Sequence, residues 1–463
     1  MNKKLEEFNK NLENKKVLIL GLGVSNLPLI DYLYDKKANI QVADVKTIDK
    51  LDKDVVDKIN KYNIKCNLGK DYMEKVEGFD IIFRSPSILP TNEKLQAEIK
   101  RGCLVTTEIE MLMSLIESKV IGITGSDGKT TTTTLIYECL KASGYNVFVG
   151  GNIGTPLFTK ASIMTKDDIV VLELSSFQLM NMKISPNISV ITNITPNHLN
   201  IHNGMDEYVG AKKEIINHQT SNDLAVLNLD NEITKQMIND VKGKLRTFSS
   251  KNIVEDGYIY KDDAIFECVN GNLTKIIDTK DIALRGKHNY ENICTVLCAI
   301  KDLIDIDKVV SVLKTFSGVE HRLELVREIN NIKWYNDSVS SSPTRTIAGI
   351  NSYEEKIVLI AGGYDKNIDY DVIGEPIINK VSSLILMGDT KEKIYNATIK
   401  AEEQHNKTIN KYIVNNLQEA VDTAYKVAKN GEVVLFSPAS ASFDMFKNFA
   451  DRGEQFKTMV NKL

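Results

Sequence analysis

The stretch Val120-Ile121-Gly122-Ile123-Thr124-Gly125-Ser126-Asp127-Gly128-Lys129-Thr130-Thr131-Thr132-Thr133-Thr134-Leu135-Ile136 decides the fold. A short β-branched run enters a glycine-bounded turn, and a Lys-Thr pair then opens a helical stretch closed by Gly144. Strand, glycine loop, Lys-Thr and helix is the order of a phosphate cradle in an α/β sheet. Glycines let backbone N–H groups converge on phosphate oxygens, and the helix start adds partial positive charge. Lys129 would reach the β- and γ-phosphates, and Thr130 would offer a hydroxyl to Mg²⁺. The longer form of this loop has glycine where Ile123 stands, so this is a shorter variant. The threonine run is a poor choice for an ordinary helix start, which argues against a plain βα turn.

Outward from this unit the same alternation recurs. Val17–Leu20, Ile40–Ala43 and Ile81–Phe83 read as strands before it. Ile169–Leu172, Val190–Thr192 and Ala225–Leu227 follow it, then Ile357–Ile360, Leu384–Met387 and Val433–Phe436. Strands separated by helical stretches build mainly parallel sheets. The chain has 463 residues, and about 150 per domain predicts about three domains. The reading is α/β: residues 1–118 Rossmann-like, 119–320 like a P-loop ATPase, and 321–463 again Rossmann-like. With 42% hydrophobic and 26% charged residues, each part can bury a core. A net charge of -4 gives no polyanion-binding surface, so nucleic acid is not an expected partner. The charged start Lys3-Lys4-Leu5-Glu6-Glu7 and the lack of long apolar runs predict a cytoplasmic protein without membrane insertion. Six scattered cysteines form no CxxC pair and read as free buried thiols.

Three further features carry chemistry. Gly21-Leu22-Gly23-Val24-Ser25-Asn26 follows the first strand, with Asp44 ending the second. This resembles a dinucleotide turn, but Asn26 replaces the third glycine, so the diphosphate of another nucleotide fits better than a nicotinamide cofactor. Glu173 ends a strand where ligands bind in parallel sheets, and with His198 or His202 it could hold a second ion. Lys212 has Tyr208, Val209, Ile215 and Ile216 as helical neighbours, so it points inward. Either it snorkels to an acid, or it is an unprotonated amine open to modification.

Taken in order, these segments resemble the Mur ligases. To them belong Gly150-Gly151-Asn152-Ile153-Gly154, Glu173-Leu174-Ser175-Ser176-Phe177-Gln178, Gly286-Lys287-His288-Asn289-Tyr290-Glu291-Asn292, His321-Arg322, Asn336-Asp337-Ser338 and Ser437–Phe449. The resemblance implies ATP-dependent amide ligation in peptidoglycan precursor synthesis, joining D-glutamate to UDP-N-acetylmuramoyl-L-alanine through an acyl phosphate. ATP would be held by Gly125, Ser126, Asp127, Gly128, Lys129, Thr130, Thr131, Asn289, Asn292, His321, Arg322 and Asp337. Two Mg²⁺ ions are implied, one on Thr130 and one on Glu173 and His198. Lys129, Glu173, His198 and Lys212 would be catalytic, with Lys212 carbamylated by CO₂. Val24, Ser25, Asp44 and Asn152 match positions that hold the uridine-linked sugar. Ser341, Lys366, Ser442, Phe443 and Phe449 match the D-glutamate pocket, where a helix starting near Ser442 would offer free N–H groups. The substrates are small molecules, and a monomer is expected. The chain departs from the family pattern at Asn197 and Asn200, which flank His198 where acids are usual. It departs again at Val339, where a lysine is usual and Arg345 is the candidate substitute.

Overall fold

The structure is a computed structural model that describes residues 2–51, 53–196, 201–365 and 368–463. The chain forms two compact units, Met1–Phe316 and Ser317–Leu463.

The first unit holds two sheets. Strands β1 (Lys16–Leu20), β2 (Asn39–Asp44), β3 (Lys65–Leu68), β4 (Ile81–Arg84) and β5 (Leu104–Thr106) run parallel in the order β3-β2-β1-β4-β5. The second sheet contains β6 (Lys119–Thr124), β7 (Val147–Gly151), β8 (Ile169–Glu173), β9 (Ile188–Ile191) and β10 (Leu224–Asn228). It continues through β11 (Lys244–Ser249), β12 (Asp256–Lys261), β13 (Ala264–Val269) and β14 (Asn272–Asp278), in the order β14-β13-β12-β11-β10-β9-β6-β8-β7. It is parallel up to β12, and β13 and β14 are antiparallel. The strand β6 lies between β8 and β9, so three strand ends open on one crevice. This is where doubly wound sheets bind ligands.

One apolar core runs through both sheets, from Leu5 and Val17 to Leu172 and Ile191. Phe158, fully buried, packs edge-on against Tyr32 at 4.9 Å and Phe83 at 6.1 Å, both in the first sheet's layer. The Glu108 carboxylate accepts from the Leu157 and Phe158 N–H groups at 3.0 and 2.6 Å. Shared packing of this kind makes one unit of two sheets.

The second unit contains β15 (Glu324–Ile329), β16 (Ile332–Asn336), β17 (Ile357–Ala361), β18 (Val381–Leu386), β19 (Asn410–Ile413) and β20 (Val433–Phe436). Their order is β15-β16-β20-β17-β18-β19, with only β15 antiparallel to its neighbour. The apolar strands expected from sequence are all present. Of the strands not anticipated, β3, β5, β7, β14, β15 and β19 lie at sheet edges, whereas β11, β12, β13 and β16 lie inside their sheets. The β13–β14 hairpin turns at Asn270-Gly271 (φ 50° and 78°) and the β15–β16 hairpin at Asn330-Asn331 (φ 53° and 60°). Such pairs suit turns that require positive φ. Among the cysteines, five are buried free thiols and Cys66 is exposed. No helix among the described residues is long and apolar enough to cross a membrane.

Candidate active site

The phosphate loop leaves β6 at Thr124, and the helix Lys129–Ala142 begins directly after it. Its glycines are dictated by space. A Cβ on Gly125 (φ 151°) would lie 1.9 Å from Thr192 Oγ1, and one on Gly128 (φ 79°) 2.3 Å from Asn292 Oδ1. The chain following β9 braces the loop. Thr192 Oγ1 donates to Asp127 O at 2.6 Å, Ser126 N–H to Asn193 O at 2.9 Å, and Asp127 N–H to Asn193 Oδ1 at 3.0 Å. Lys129 Nζ folds back on Gly125 O (2.8 Å) and Ser126 O (2.9 Å), holding its charge over the loop. Thr130 is half-buried and Thr131 buried in the first helical turn. Asn289 and Asn292 sit on the helix Lys287–Ile300, and Asn292 Nδ2 donates to Asn289 Oδ1 at 3.3 Å.

Lys212 enters the same loop from the helix Met205–Asn217. It is 2% exposed, and Nζ donates to Thr124 Oγ1 at 3.2 Å and Gly125 O at 2.8 Å above the Tyr208 ring. No carboxylate among the described residues forms an ion pair with it. Burial, reinforced by the Lys129 charge, pulls the amine down from 10.5 to about 7. Of the two readings left open, the structure has the inward amine without an acid partner.

Glu173 ends β8 and is 1% exposed. Asn152 Nδ2 donates to its Oε1 at 2.7 Å, whereas Oε2 has no hydrogen-bond partner among the described residues. A buried carboxylate oxygen without a donor suits a hard cation. The donor set therefore fits Mg²⁺. His198 lies outside the described residues. His202, the other histidine weighed as a ligand, has both ring nitrogens engaged, Nε2 with Ser176 Oγ and Nδ1 with Glu207.

In the first sheet, Gly21 (φ 86°) opens the turn after β1, and a Cβ there would lie 2.6 Å from Ser85 Cβ. Asp44 accepts from Leu22 N–H at 2.6 Å and Lys46 N–H at 2.8 Å, so its carboxylate organises the loop backbone. Asn26, in place of the third glycine, is buried and donates to Gly21 O at 2.9 Å. Val24 is 78% exposed and Ser25 half-buried.

The second unit places Asp337 at the end of β16, where Ser437 Oγ donates to it at 2.6 Å and Leu323 N–H at 3.3 Å. Burial pushes its carboxyl up to about 6 against the pull of the Ser340 and Ser437 hydroxyls. His321 (φ 62°) is buried against Asn336, its Nδ1 3.0 Å from Asn336 Nδ2, and Arg322 is half-buried beside it. Arg345 Nη1 donates to Val339 O at 3.4 Å. Ser341 is half-buried, Phe443 and Phe449 are exposed, and Lys366 lies outside the described residues. The helix expected near Ser442 is absent. Ser442 is buried in a turn whose carbonyl accepts from Met445 and Phe446 N–H groups, and the helix begins at Phe449, capped by Asn448. Asp444 and the following Lys-Asn pair favour turn over helix here.

A residue to which the sequence reading assigned no role is Arg452. Fully buried, it donates to Ser338 Oγ (3.0 Å), Ser338 O (2.7 Å), Ser440 O (3.1 Å) and Ala441 O (2.8 Å), joining the loops after β16 and β20. Its spacing from Phe449 and Phe456 on one helix was the available signal.

Family descriptions match three stretches: "Mur ligase MurD-like, N-terminal domain" over residues 15–107, "Mur ligase middle domain" over 123–300 and "Mur ligase, glutamate ligase domain" over 321–440. The chain belongs to the Mur ligases. It is 47% identical to the UDP-N-acetylmuramoylalanine--D-glutamate ligase of Acetivibrio thermocellus and 45% identical to that of Clostridium kluyveri, covering 100% of each and of itself. The UDP-N-acetylmuramate-alanine ligase MurC of Thermotoga maritima superposes with a TM-score of 0.58 at 17% identity, over 97% of this chain and 100% of that one. MurF of Acinetobacter baumannii gives 0.58 at 13% identity, over 100% and 98%. These two structures share the Mur ligase fold with the chain.

Proposed function

We propose that this Mur ligase joins D-glutamate to the alanyl carboxylate of UDP-N-acetylmuramoyl-L-alanine at the expense of ATP, in peptidoglycan precursor synthesis. One observation carries the reading. Lys129, Lys212 and Glu173 gather at the carboxyl ends of β6 and β8, in a chain that aligns end to end with ligases of that name. Residues 1–118 would bind the uridine-linked sugar, 119–320 ATP, and 321–463 the amino acid, with the site residues in the roles given by the resemblance. The chain would act in the cytoplasm as a monomer on these small molecules.

A carboxylate does not acylate an amine at neutral pH until one of its oxygens can leave. A substrate carboxylate oxygen attacks the γ-phosphorus, the bond to the β–γ bridging oxygen breaks, and ADP departs. The D-glutamate amine then attacks the acyl carbon, and phosphate leaves with the electrons of the C–O bond. The proton shed by nitrogen goes to solvent or a nearby base. Lys129, held over the loop, offsets the charge that develops on the transferring group. Loop N–H groups at the helix start bind the phosphates. Thr130 would hold one Mg²⁺ and Glu173 with His198 the other; when bound, these ions neutralise phosphate charge. The neutral fraction of Lys212 would add to CO₂, losing a proton to give a carbamate beside the loop.

Phosphate release from ATP with UDP-N-acetylmuramoyl-L-alanine, with and without D-glutamate, tests the proposal. Sustained release that requires both substrates supports it. Release indifferent to D-glutamate, or none with both present, refutes it.

A further inference from the structure

Three side chains that the phosphate chemistry leaves unused form a relay beside the site. His202, 2% exposed, lies just ahead of the helix Met205–Asn217. Its Nε2 is 3.0 Å from Ser176 Oγ and its Nδ1 is 3.3 Å from Glu207 Oε1. A carboxylate only accepts, so Nδ1 carries the ring hydrogen; in a neutral ring Nε2 then accepts, and Ser176 is the donor. Glu207 is itself held, because Asn203 Nδ2 donates to its other oxygen at 2.9 Å.

Serine on Nε2 and acid on Nδ1 is the atom pairing of a hydrolytic triad. Here it cannot attack. Ser176 is 3% exposed, the imidazole stacks on Phe177 (4.9 Å between centroids, 10° between planes), and Tyr208 closes its edge at 5.3 Å. No substrate carbonyl reaches the hydroxyl, so the relay holds position.

What it holds is specific. Ser176 opens the short helix that follows Glu173, and Glu207 lies in the first turn of the helix bearing Lys212. Tyr208, against the imidazole edge, bonds Ser126 Oγ of the phosphate loop at 2.9 Å and presents its face to Lys212. We propose that His202 is a positioning residue of the ligase site, a strut whose two hydrogen bonds lock the segment after Glu173 to the helix that carries Lys212. The inference rests on the function proposed above. Glu173 and Lys212 come from separate elements, and a shift of about 1 Å in a positioned group can cost about a hundredfold in rate.

The full chain labelled with ¹⁵N-histidine reads the relay directly, with His202 assigned from the signal missing in His202→Gln. The expected spectrum shows a protonated Nδ1 and a bare Nε2. Phosphate release supplies the second readout. His202→Phe keeps the stacking but loses both hydrogen bonds, and kcat should fall by about ten- to a hundredfold. KM for ATP should stay within about threefold, with the thermal midpoint close to that of the wild type. His202→Gln, whose amide oxygen can accept from Ser176, should recover most of that loss. Ser176→Ala, a smaller change, should lower kcat several-fold and serves if the phenylalanine variant fails to fold. A protonated Nε2 with a bare Nδ1 overturns the inference. So does wild-type kcat in the phenylalanine and alanine variants, or equal losses in the glutamine and phenylalanine variants. A wild type without D-glutamate-dependent phosphate release would overturn the functional reading and this inference together. An active wild type with an unaffected His202→Phe overturns the inference alone.

Discussion

Lys212→Met should stabilise the protein while abolishing its activity, and the gain should depend on pH in a defined way. The Lys212 amine is pulled from 10.5 to about 7 in the folded chain, chiefly by burial. Above pH 10.5 the lysine is neutral in both folded and unfolded chains, so it contributes no linkage term. As pH falls, the unfolded chain takes up a proton that the folded chain refuses until about pH 7, and stability drops across that window. The slope is about 1.4 kcal/mol per pH unit, and 3.5 units (10.5 minus 7) give at most about 5 kcal/mol below pH 7. Methionine has no proton to refuse. It forfeits two donated hydrogen bonds, to Thr124 Oγ1 and Gly125 O, of about 1 kcal/mol each. The expected net gain is about 3 kcal/mol at pH 7, reaching zero near pH ~9 and turning into a loss of about 1 kcal/mol by pH ~10, where only the missing hydrogen bonds count. Urea denaturation of both proteins from pH 6.5 to 10, in buffers purged of CO₂, measures this difference. Bicarbonate should narrow it, because a carbamate replaces the desolvated cation. A methionine variant less stable than wild type at pH 7, or a difference that does not change between pH 7 and 10, would refute the desolvated amine.

Lys129→Ala should lower kcat by about a hundredfold or more while circular dichroism stays native, since the lysine's contacts are to loop carbonyls near the surface; unchanged turnover contradicts its role. Arg452→Lys should destabilise the second unit by about 3 kcal/mol, because one ammonium cannot span the four acceptors that the guanidinium reaches, and thermal unfolding reads the loss. Ser442→Ala should raise KM for D-glutamate about tenfold and KM for ATP by less than twofold; equal effects on both would remove Ser442 from the amino-acid pocket.

The hairpins at 270–271 and 330–331 were not anticipated, although their Asn-Gly and Asn-Asn pairs are local turn signals. Buried parallel strands such as β6, β8, β17 and β20 are continuous apolar runs and declare themselves locally. Edge strands such as β3 and β14 are mostly polar and exist only because a neighbour supplies the hydrogen bonds. At Ser442 the nearby Asp444 and Lys447-Asn448 favour a turn, and the structure has one where a helix start was expected.

The candidate site divides in the same way. Sequence by itself determined the phosphate loop, the acid at the end of β8, the inward face of Lys212 and the order of motifs that belongs to the Mur ligases. Each is encoded in residue type and short-range spacing, which is what a chain shows before it folds. Tertiary structure alone decided that Lys212 has no acid among the described residues and sits on the Gly125 carbonyl. It also left Glu173 Oε2 without a donor among the described residues, occupied both His202 nitrogens, and buried Arg452 between two loops. Those facts concern desolvation and partners brought from as far as 114 residues away in the chain. The free energy of a charge or a hydrogen bond depends on what surrounds it, and no local spacing contains its surroundings.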